Sequence, residues 1–286
     1  MATTATATTI VPLAAPSRRA RPAGALLTLA RRRALLTSRT PRQIAVPLLG
    51  PALLALILAP ALKQATGGLH SHIDYTSFVG VGAVGLVIPL SCVFAGLSVL
   101  VDRHSGAQRE LLAAPVSRTY LVLGNMLVAI VLSALQALVV VGLSALRGGE
   151  FHITATGVVW FLTAALLFTV FMYGLAETVA SRVQKEEDYV GGIPVLAILP
   201  FFFAGALFPI SAMPAALTTI AKLLPLTHAL ALMRYGFIDP SGRGLHDIWG
   251  MSDVTTEAWL SLAVVALFAA ALVVVSVRVF SRSAVD

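Results

Sequence analysis

Three groups of polar residues in this 286-residue chain are of types that could carry out chemistry. His70, His72 and Asp74 stand two apart, a spacing that could hold a metal ion if the segment were extended. The acidic run 186–188, Glu-Glu-Asp, supplies neighbouring carboxylates like those of an intramembrane protease, and residues 104–106, His-Ser-Gly, superficially suggest a serine hydrolase. Each group has to be tested against the partners that its chemistry needs.

The necessary partners are missing in each case. The histidine pair has no fourth ligand, so a hydrated loop is the favoured interpretation. The acidic run lacks both the arginine soon after it and the histidines in later apolar runs that the protease requires. The serine lacks the Gly-x-Ser-x-Gly turn and a buried base. The sequence therefore predicts a protein that is not an enzyme, with no catalytic residue, no metal site and no cofactor held by this chain.

The composition is that of a membrane protein with several spans. Hydrophobic residues make up 58% of the chain, charged residues 12%, and the mean hydropathy is +0.89. The net charge of +7 lies mainly in arginines outside the apolar runs, where an anionic lipid leaflet is the expected partner and a nucleic acid is not. The single cysteine, Cys92, lies within an apolar run and cannot form an intrachain disulfide.

Six apolar runs are long enough to cross about 30 Å of hydrocarbon, which takes about 20 residues. None of them has a Lys, Arg, Asp or Glu near its middle. The fold class predicted is an all-α polytopic membrane protein with six transmembrane helices, at about 43–62, 79–101, 120–146, 153–176, 189–210 and 257–277.

The distribution of basic residues predicts the orientation, because cytoplasmic loops carry an excess of Lys and Arg. One side of the six spans carries Arg18, Arg19, Arg21, Arg31, Arg32, Arg33, Arg39, Arg42, Arg103, Arg109, Arg118, Arg182, Lys185, Arg278 and Arg282. The other side has only Lys63, Arg147, Lys222, Arg234 and Arg243. We therefore expect both termini to be cytoplasmic in a multi-pass protein of the plasma membrane.

The long outer segment 211–256 contains a second apolar stretch that could form a seventh span. Lys222 and Pro225 divide it into two pieces of about ten residues, each too short to cross the bilayer. We predict a pair of short re-entrant helices with a turn at Pro225, since a seventh span would also place Arg278 and Arg282 outside.

The residues before the first span divide into two predicted parts. Residues 1–22 read as a disordered cytoplasmic tail, and 23–42 as an amphipathic helix lying in the inner interface. The helix has Leu26, Leu29, Ala30 and Leu36 on one arc, which Arg33 interrupts, and a disordered basic tail is the alternative. Residues 43–286 then form the transmembrane domain.

The loop 102–119 between the second and third spans is rich in charge and turn residues. Gly106 permits a tight turn, residues 108–113 are long enough for one or two helical turns, and Pro115 can begin the next helix. We expect a short, rigid helix that presents its charges to the cytosol as a docking surface.

The stretch DRHSGAQRELLAAPVSRTYLVLGNML resembles the signature loop of type-2 ATP-binding cassette (ABC) transporter permeases, especially the daunorubicin-resistance exporters. The residues that match are Asp102, Gly106, Glu110, Leu111, Leu112, Pro115, Arg118 and Gly124. Departures are Asp102 where glutamate is commoner, Ala107 for threonine, and Ala114 where a hydroxyl residue often precedes the proline. The basic segment LARRRALLTSRTPRQ resembles the family's connecting helix, with Arg31, Arg32, Arg33 and Arg39, and the segment after the fifth span resembles its outward re-entrant helices.

The resemblance implies a mechanism. Two six-span permeases, identical or closely paralogous, would pair in the bilayer, and each would dock its second loop on a separate ATPase subunit that holds ATP and Mg²⁺. The docking residues implied are the matching loop residues above together with Arg103 and Arg109. No G-x-x-x-x-G-K-[ST] sequence occurs in this chain, so the ATPase must be another polypeptide.

The sequence leaves the substrate and one alternative mechanism open. A hydrophobic or amphipathic compound such as an antibiotic is expected, with lipid or polysaccharide export possible within the same class. Phe201, Phe202, Phe203 and Phe208 either line a transport path or pack against neighbouring helices. Glu177, at the inner end of the fourth span, could serve an ion-coupled carrier, although such an acid can also reach water by snorkelling.

Overall fold

A computed structural model of the protein describes residues 22–65, 74–113, 116–192 and 194–283, and these residues fold into helices. The thirteen α-helices are α1 Pro22–Ser38, α2 Arg42–Leu53, α3 Ala59–Ala65, α4 Tyr75–His104, α5 Ala107–Ala113, α6 Arg118–Leu146, α7 Ala155–Ala180, α8 Glu186–Gly191, α9 Leu199–Phe203, α10 Ala215–Leu223, α11 Pro225–Phe237, α12 Arg243–Trp249 and α13 Val254–Ser283. Two π-helical turns, Leu54–Leu58 and Pro194–Ile198, and a 3₁₀ turn, Ile210–Ala212, complete the described elements.

Five helical segments are long and apolar enough to cross a membrane: Arg42–Gln64, Tyr75–His104, Arg118–Leu146, Ala155–Ala180 and Val254–Arg282. They confirm five of the six predicted spans, with ends that differ by at most about five residues. The first joins α2 and α3 through a π turn, and single turns within longer α-helices are the usual place of this rare conformation. We call the end of the bundle that holds residues 102–119 the loop end, and the other the far end.

The remaining predicted span, 189–210, is not one long helix. It is divided into α8, a π turn and α9, because Gly191 and Gly192 weaken the helix and Pro194 removes a hydrogen-bond donor. The segment nevertheless runs from one end of α4 toward the other. The Tyr189 hydroxyl lies against Gly96 and the Ala206 carbonyl against Gly82, positions about 21 Å apart along a helix.

The outer segment contains the two short helices that the sequence predicts. The axes of α10 and α11 differ by 84°, and the chain breaks between them at Leu224, directly before Pro225. Proline suits this position because it begins a helix well but cannot continue one. The depth of this helix pair in the bilayer stays a prediction.

Helix α4 lies at the centre of the subunit. Its glycines allow close contact with neighbours, since a Cβ atom would overlap the Ser144 side chain at Gly80 and the Ala206 carbonyl at Gly82. At Gly85 a Cβ would lie 3.0 Å from a methyl carbon of Leu230. The glycine surface of α4 is thus covered by this chain itself, which favours packing within the subunit over a seam between two permeases.

Asp74 precedes α4 directly and joins the first two spans at the far end through Lys63. Its carboxylate accepts a hydrogen bond of 2.9 Å from the backbone N–H of Ser77 and pairs with Lys63 at 2.5 Å. Burial opposes charge on this carboxyl, but the bonds from Lys63 and Ser77 outweigh it and lower the pKa of Asp74 below its usual value. Asp74 is therefore a helix cap, and His70 and His72 lie outside the described residues.

We predict that the two ends of the bundle face opposite sides of the membrane. Cysteines introduced at Ser105, at the loop end, and at Ser241, at the far end, are both exposed, whereas the native Cys92 is buried. In a Cys92→Ala background, an impermeant maleimide added to intact cells should label only Ser241→Cys. Labelling of both positions from the same side would contradict the predicted topology.

Candidate functional site

The loop 102–119 forms the short helix that the sequence predicts. Gly106 has φ +80°, a left-handed conformation that glycine adopts without strain, and α5 follows it directly. Gln108 is buried, and Leu111 and Leu112 pack against the core, so the helix is held by its own apolar side. Arg109 and Glu110 lie on the exposed side. Pro115 lies outside the described residues.

Asp102, at the end of α4, pairs with two arginines of α1. The Arg33 Nη2 atom lies 2.5 Å from the Asp102 carboxylate, and Arg32 Nη1 lies 3.4 Å from the same oxygen. Arg33 Nε also donates a hydrogen bond of 2.9 Å to Oδ1 of Asn125 in α6. This partly buried set of side chains therefore ties α1, α4 and α6 together at the start of the loop.

The arrangement of α1 places Arg33 on the same face as Ala30, as predicted, but does not place Leu36 there. Arg33 is 7% exposed and lies on the buried face beside Ala30. Leu36, predicted on the same arc, is exposed, as is Leu27, and this suits contact with lipid. The helix ends at Ser38, so Arg39 lies beyond it and is exposed, as is Arg31.

Arg103 and His104 join the end of α4 to the end of α7. Arg103 donates hydrogen bonds to the backbone carbonyls of Ala180, Ser181 and Val183, which have no partner within the helix. The His104 Nδ1 atom lies 3.4 Å from a carboxylate oxygen of Glu186, in the acidic run. The loop 102–119 and the segment between α7 and α8 therefore form one surface.

Arg118 completes the attachment on the other side of the loop. At the start of α6, its Nη1 atom donates a hydrogen bond of 2.5 Å to the carbonyl oxygen of Ser281, near the end of α13. The charged residues of the predicted docking set therefore divide into two groups. Asp102, Arg103 and Arg118 bind α1, the end of α7 and α13 within the subunit, and Arg109 and Glu110 are left on the surface.

Comparisons with known proteins identify the family. The family model described as ABC-2 type transporter matches residues 24–238, most of the chain. The chain belongs to the ABC-2 type transporter family. This permease is also 27% identical over 200 residues to the transport permease ycf38 of Porphyra purpurea, covering 69% of this chain and 68% of the relative. It is 23% identical over 181 residues to nodulation protein J of Sinorhizobium fredii, covering 63% and 69%. Membership implies that the permease associates with an ABC ATPase subunit.

Glu177 of the permease is a feature whose environment the sequence did not reveal. It is fully buried in α7, so the prediction that it could reach water by snorkelling is wrong. The Tyr173 hydroxyl donates a hydrogen bond of 2.7 Å to its Oε2 atom, and Oε1 has no hydrogen-bond partner among the described residues. The i, i+4 spacing of Tyr173 and Glu177 on a helix is the one signal that could have indicated this pair.

The four phenylalanines of the predicted transport path do not lie on a single surface. Phe201 is buried and packs edge-to-face on Phe202, whose side chain is exposed, as is that of Phe208. Phe203 is partly buried. Their role in transport stays a prediction, and a pocket near them is lined by their neighbours Ala204 and Pro209.

We predict that Asp102 stabilises the permease through Arg33. Asp102→Asn leaves the buried guanidinium without an anion and should lower the free energy of unfolding by about 3 kcal/mol. The double variant Arg33→Met, Asp102→Leu removes both charges and should recover most of that loss. Unfolding in detergent mixtures would measure these changes, with the exposed Glu110→Gln as the control. An Asp102→Asn variant as stable as the control would show that the pair contributes little.

Proposed function

We propose that this permease is the membrane subunit of an ABC exporter, which moves a hydrophobic or amphipathic compound outward with ATP hydrolysed by a separate subunit. The observation that carries the proposal is the set of contacts that hold α5 at the loop end. Arg109 and Glu110 are exposed on α5, while the residues on both sides of α5, in α4 and α6, bind α1, the end of α7 and α13. A force applied to α5 by a partner would therefore reach these spans directly.

The charges at this surface suit a protein partner. Arg109 and Glu110 are exposed with opposite signs, and Glu186, Glu187 and Asp188 are exposed in the first turn of α8. Opposite charges in a fixed pattern select a partner and a register more than they add affinity. The chain itself is proposed to hold no nucleotide or metal, which the ATPase subunit would bind.

The substrate and assembly follow from the same proposal. A second permease copy, identical or paralogous, would supply the other half of the pathway in the plasma membrane, with both termini cytoplasmic. An antibiotic-like compound is the substrate proposed. Export of a lipid or polysaccharide is the alternative within this class.

A buried acid supports the competing mechanism of an ion-coupled carrier. Glu177 has one carboxylate oxygen without a hydrogen-bond partner among the described residues, and an acid within a span is a candidate for proton transport. The two mechanisms differ in what drives export: the exporter needs ATP, whereas the carrier needs an ion gradient.

The decisive experiment is a mild-detergent purification of the tagged permease from its host, followed by mass spectrometry and by transport assays in reconstituted vesicles. We expect an ATPase with a Walker motif in a stoichiometric amount, and export that stops when ATP is withheld. Recovery without an ATPase, together with export driven by a pH gradient and abolished by Glu177→Gln, would replace the exporter with the carrier.

A further inference from the structure

A groove of about 400 Å³ runs between α6 and α7, two of the helices that span the membrane. Small side chains leave this space, because Ser133, Ala134 and Ala137 of α6 and Ala165 of α7 all line it. Ile88 of the central helix α4, which is 1% exposed, lies at its base. The volume is within the range of about 300–1,000 Å³ that is common for ligand sites.

The lining of the groove is apolar. Among the described residues, its only hydroxyls belong to Ser133 and Thr169, which are 1% and 3% exposed, and no charged side chain or histidine lines it. The Thr169 hydroxyl donates a hydrogen bond of 2.7 Å to the carbonyl oxygen of Ala165. A polar ligand would lose its hydration here without replacement, so the groove suits a hydrocarbon.

The groove is open on the side that faces the lipid. Leu138, Leu162 and Leu166 line it and are 69%, 55% and 44% exposed, and Ala134 is exposed beside them. Apolar cavities exclude water and accept apolar molecules. Because both flanking helices are spans, the phase outside the opening is the hydrocarbon of the bilayer. The bilayer itself therefore supplies the occupant.

The length and depth of the groove match one acyl chain. It extends from Ile130 to Val141 along α6 and from Val158 to Thr169 along α7, a distance of about 16 Å on each helix. Half of the hydrocarbon core is about 15 Å thick. Val158 lies in the first turn of α7 and Ser133 at the middle of α6. The groove thus runs from the far-end boundary of the bilayer to its centre.

We propose that this groove binds one acyl chain of a phospholipid from the leaflet at the far end. The terminal methyl of the chain lies beside Ser133 and Thr169, and the carbonyl end lies beside Val141 and Val158. A chain in the groove contacts α6, α7 and the base at once, whereas a chain on a convex helix surface contacts protein on one side. The larger number of dispersion contacts favours the groove. This site needs neither ATP nor a second permease and goes beyond the proposed export function.

Photoreactive lipids would test the site in the full chain, reconstituted in vesicles of palmitoyl-oleoyl phosphatidylcholine. Two phosphatidylcholine probes carry a diazirine, one near the carbonyl end of an acyl chain and one near its terminal methyl. After illumination, labelling of the groove should exceed that of Ala263 and Leu267, on the exposed face of α13, about tenfold, which corresponds to about 1.4 kcal/mol. The first probe should label α7 near Val158 and the second near Thr169.

A substitution that fills the groove should prevent this labelling. Ala134→Phe places a ring at the opening and should reduce labelling of α7 about tenfold, or about 1.4 kcal/mol. Ala263→Phe makes the same change at an exposed site of α13 and should leave labelling of α7 unchanged. If Ala134→Phe does not fold, as judged by its melting temperature, the smaller change Ala134→Leu still decides, because it should reduce labelling in the same direction.

Equal labelling of α7 and α13, or labelling of α7 that a folded Ala134 variant leaves unchanged, would overturn the proposal. Displacement of the probes by the dye Nile red at lower concentration than by unlabelled phospholipid would also overturn it, because the groove would then be a site for a drug-like compound. The vesicles contain no ATP or ATPase, so the outcome is independent of whether export is ATP-driven.

Discussion

Exchanging the two exposed charges of α5, by Arg109→Glu together with Glu110→Arg, should reduce export to less than about one hundredth of the native rate. The exchange keeps the net charge and the solvation of the helix, but it places like charges opposite each other at the interface with the ATPase. Such juxtapositions cost several kcal/mol, and about 2.8 kcal/mol corresponds to a factor of one hundred. ATP-dependent uptake of a fluorescent drug into inverted vesicles would measure the effect.

The far end offers a matched control for this exchange. Arg147 and Glu150 are also exposed, and they lie in the loop between α6 and α7. Arg147→Glu together with Glu150→Arg should leave export unchanged, and both double variants should reach the membrane in native amounts. Native export by the α5 variant would show that α5 does not transmit the action of the ATPase.

The second large effect is expected at Gly82, where α4 contacts Ala206. Ala206 lies near the end of the fifth segment, the stretch 189–210 that was predicted as the fifth span. A Cβ atom there would overlap the backbone carbonyl of Ala206, which cannot move without displacing the chain held by Arg234. Gly82→Ala should therefore lower the free energy of unfolding by about 3 kcal/mol, at the upper end for overpacking of a core. The melting temperature of the purified permease would report the loss.

Gly142 provides the control for the substitution of Gly82. It also lies within a long helix, α6, but no atom lies within 4 Å of the Cβ position. Gly142→Ala should leave the melting temperature unchanged or raise it, because alanine favours helix more than glycine does. If Gly82→Ala behaves in the same way, the contact between α4 and Ala206 is looser than the structure shows.

The long spans and the coupling helix could be predicted from sequence because each depends on local properties. Apolar length predicts a span, and Gly106 followed by a short helix-forming run predicts a turn and then α5. The break before Pro225 was predictable for the same reason. The fifth segment was predicted as one span by its hydropathy, although its glycines and prolines divide it into short pieces.

The side-chain contacts could not be predicted in this way, because their partners are far apart in the chain. Arg33 reads as a break in an apolar face until Asp102 and Asn125, about 70 and 90 residues later, are placed beside it. Arg234 reads as a basic residue of an outer loop, yet it is buried against carbonyls of the fifth segment. In both cases tertiary contacts decided the position of a charge that hydropathy alone would place in water.

The glycine surface of α4 has a consequence for synthesis of the chain. Its contacts at Gly82 and Gly96 are made with Ala206 and Tyr189, which are translated about 120 and 90 residues later. At about 5 to 20 residues per second, Ala206 emerges at least about 6 seconds after Gly82. During that interval the helix has been inserted, but the chain that covers Gly82 and Gly96 does not yet exist. The glycine surface of the second span is therefore open to pairing with the wrong helix until the fifth segment is made.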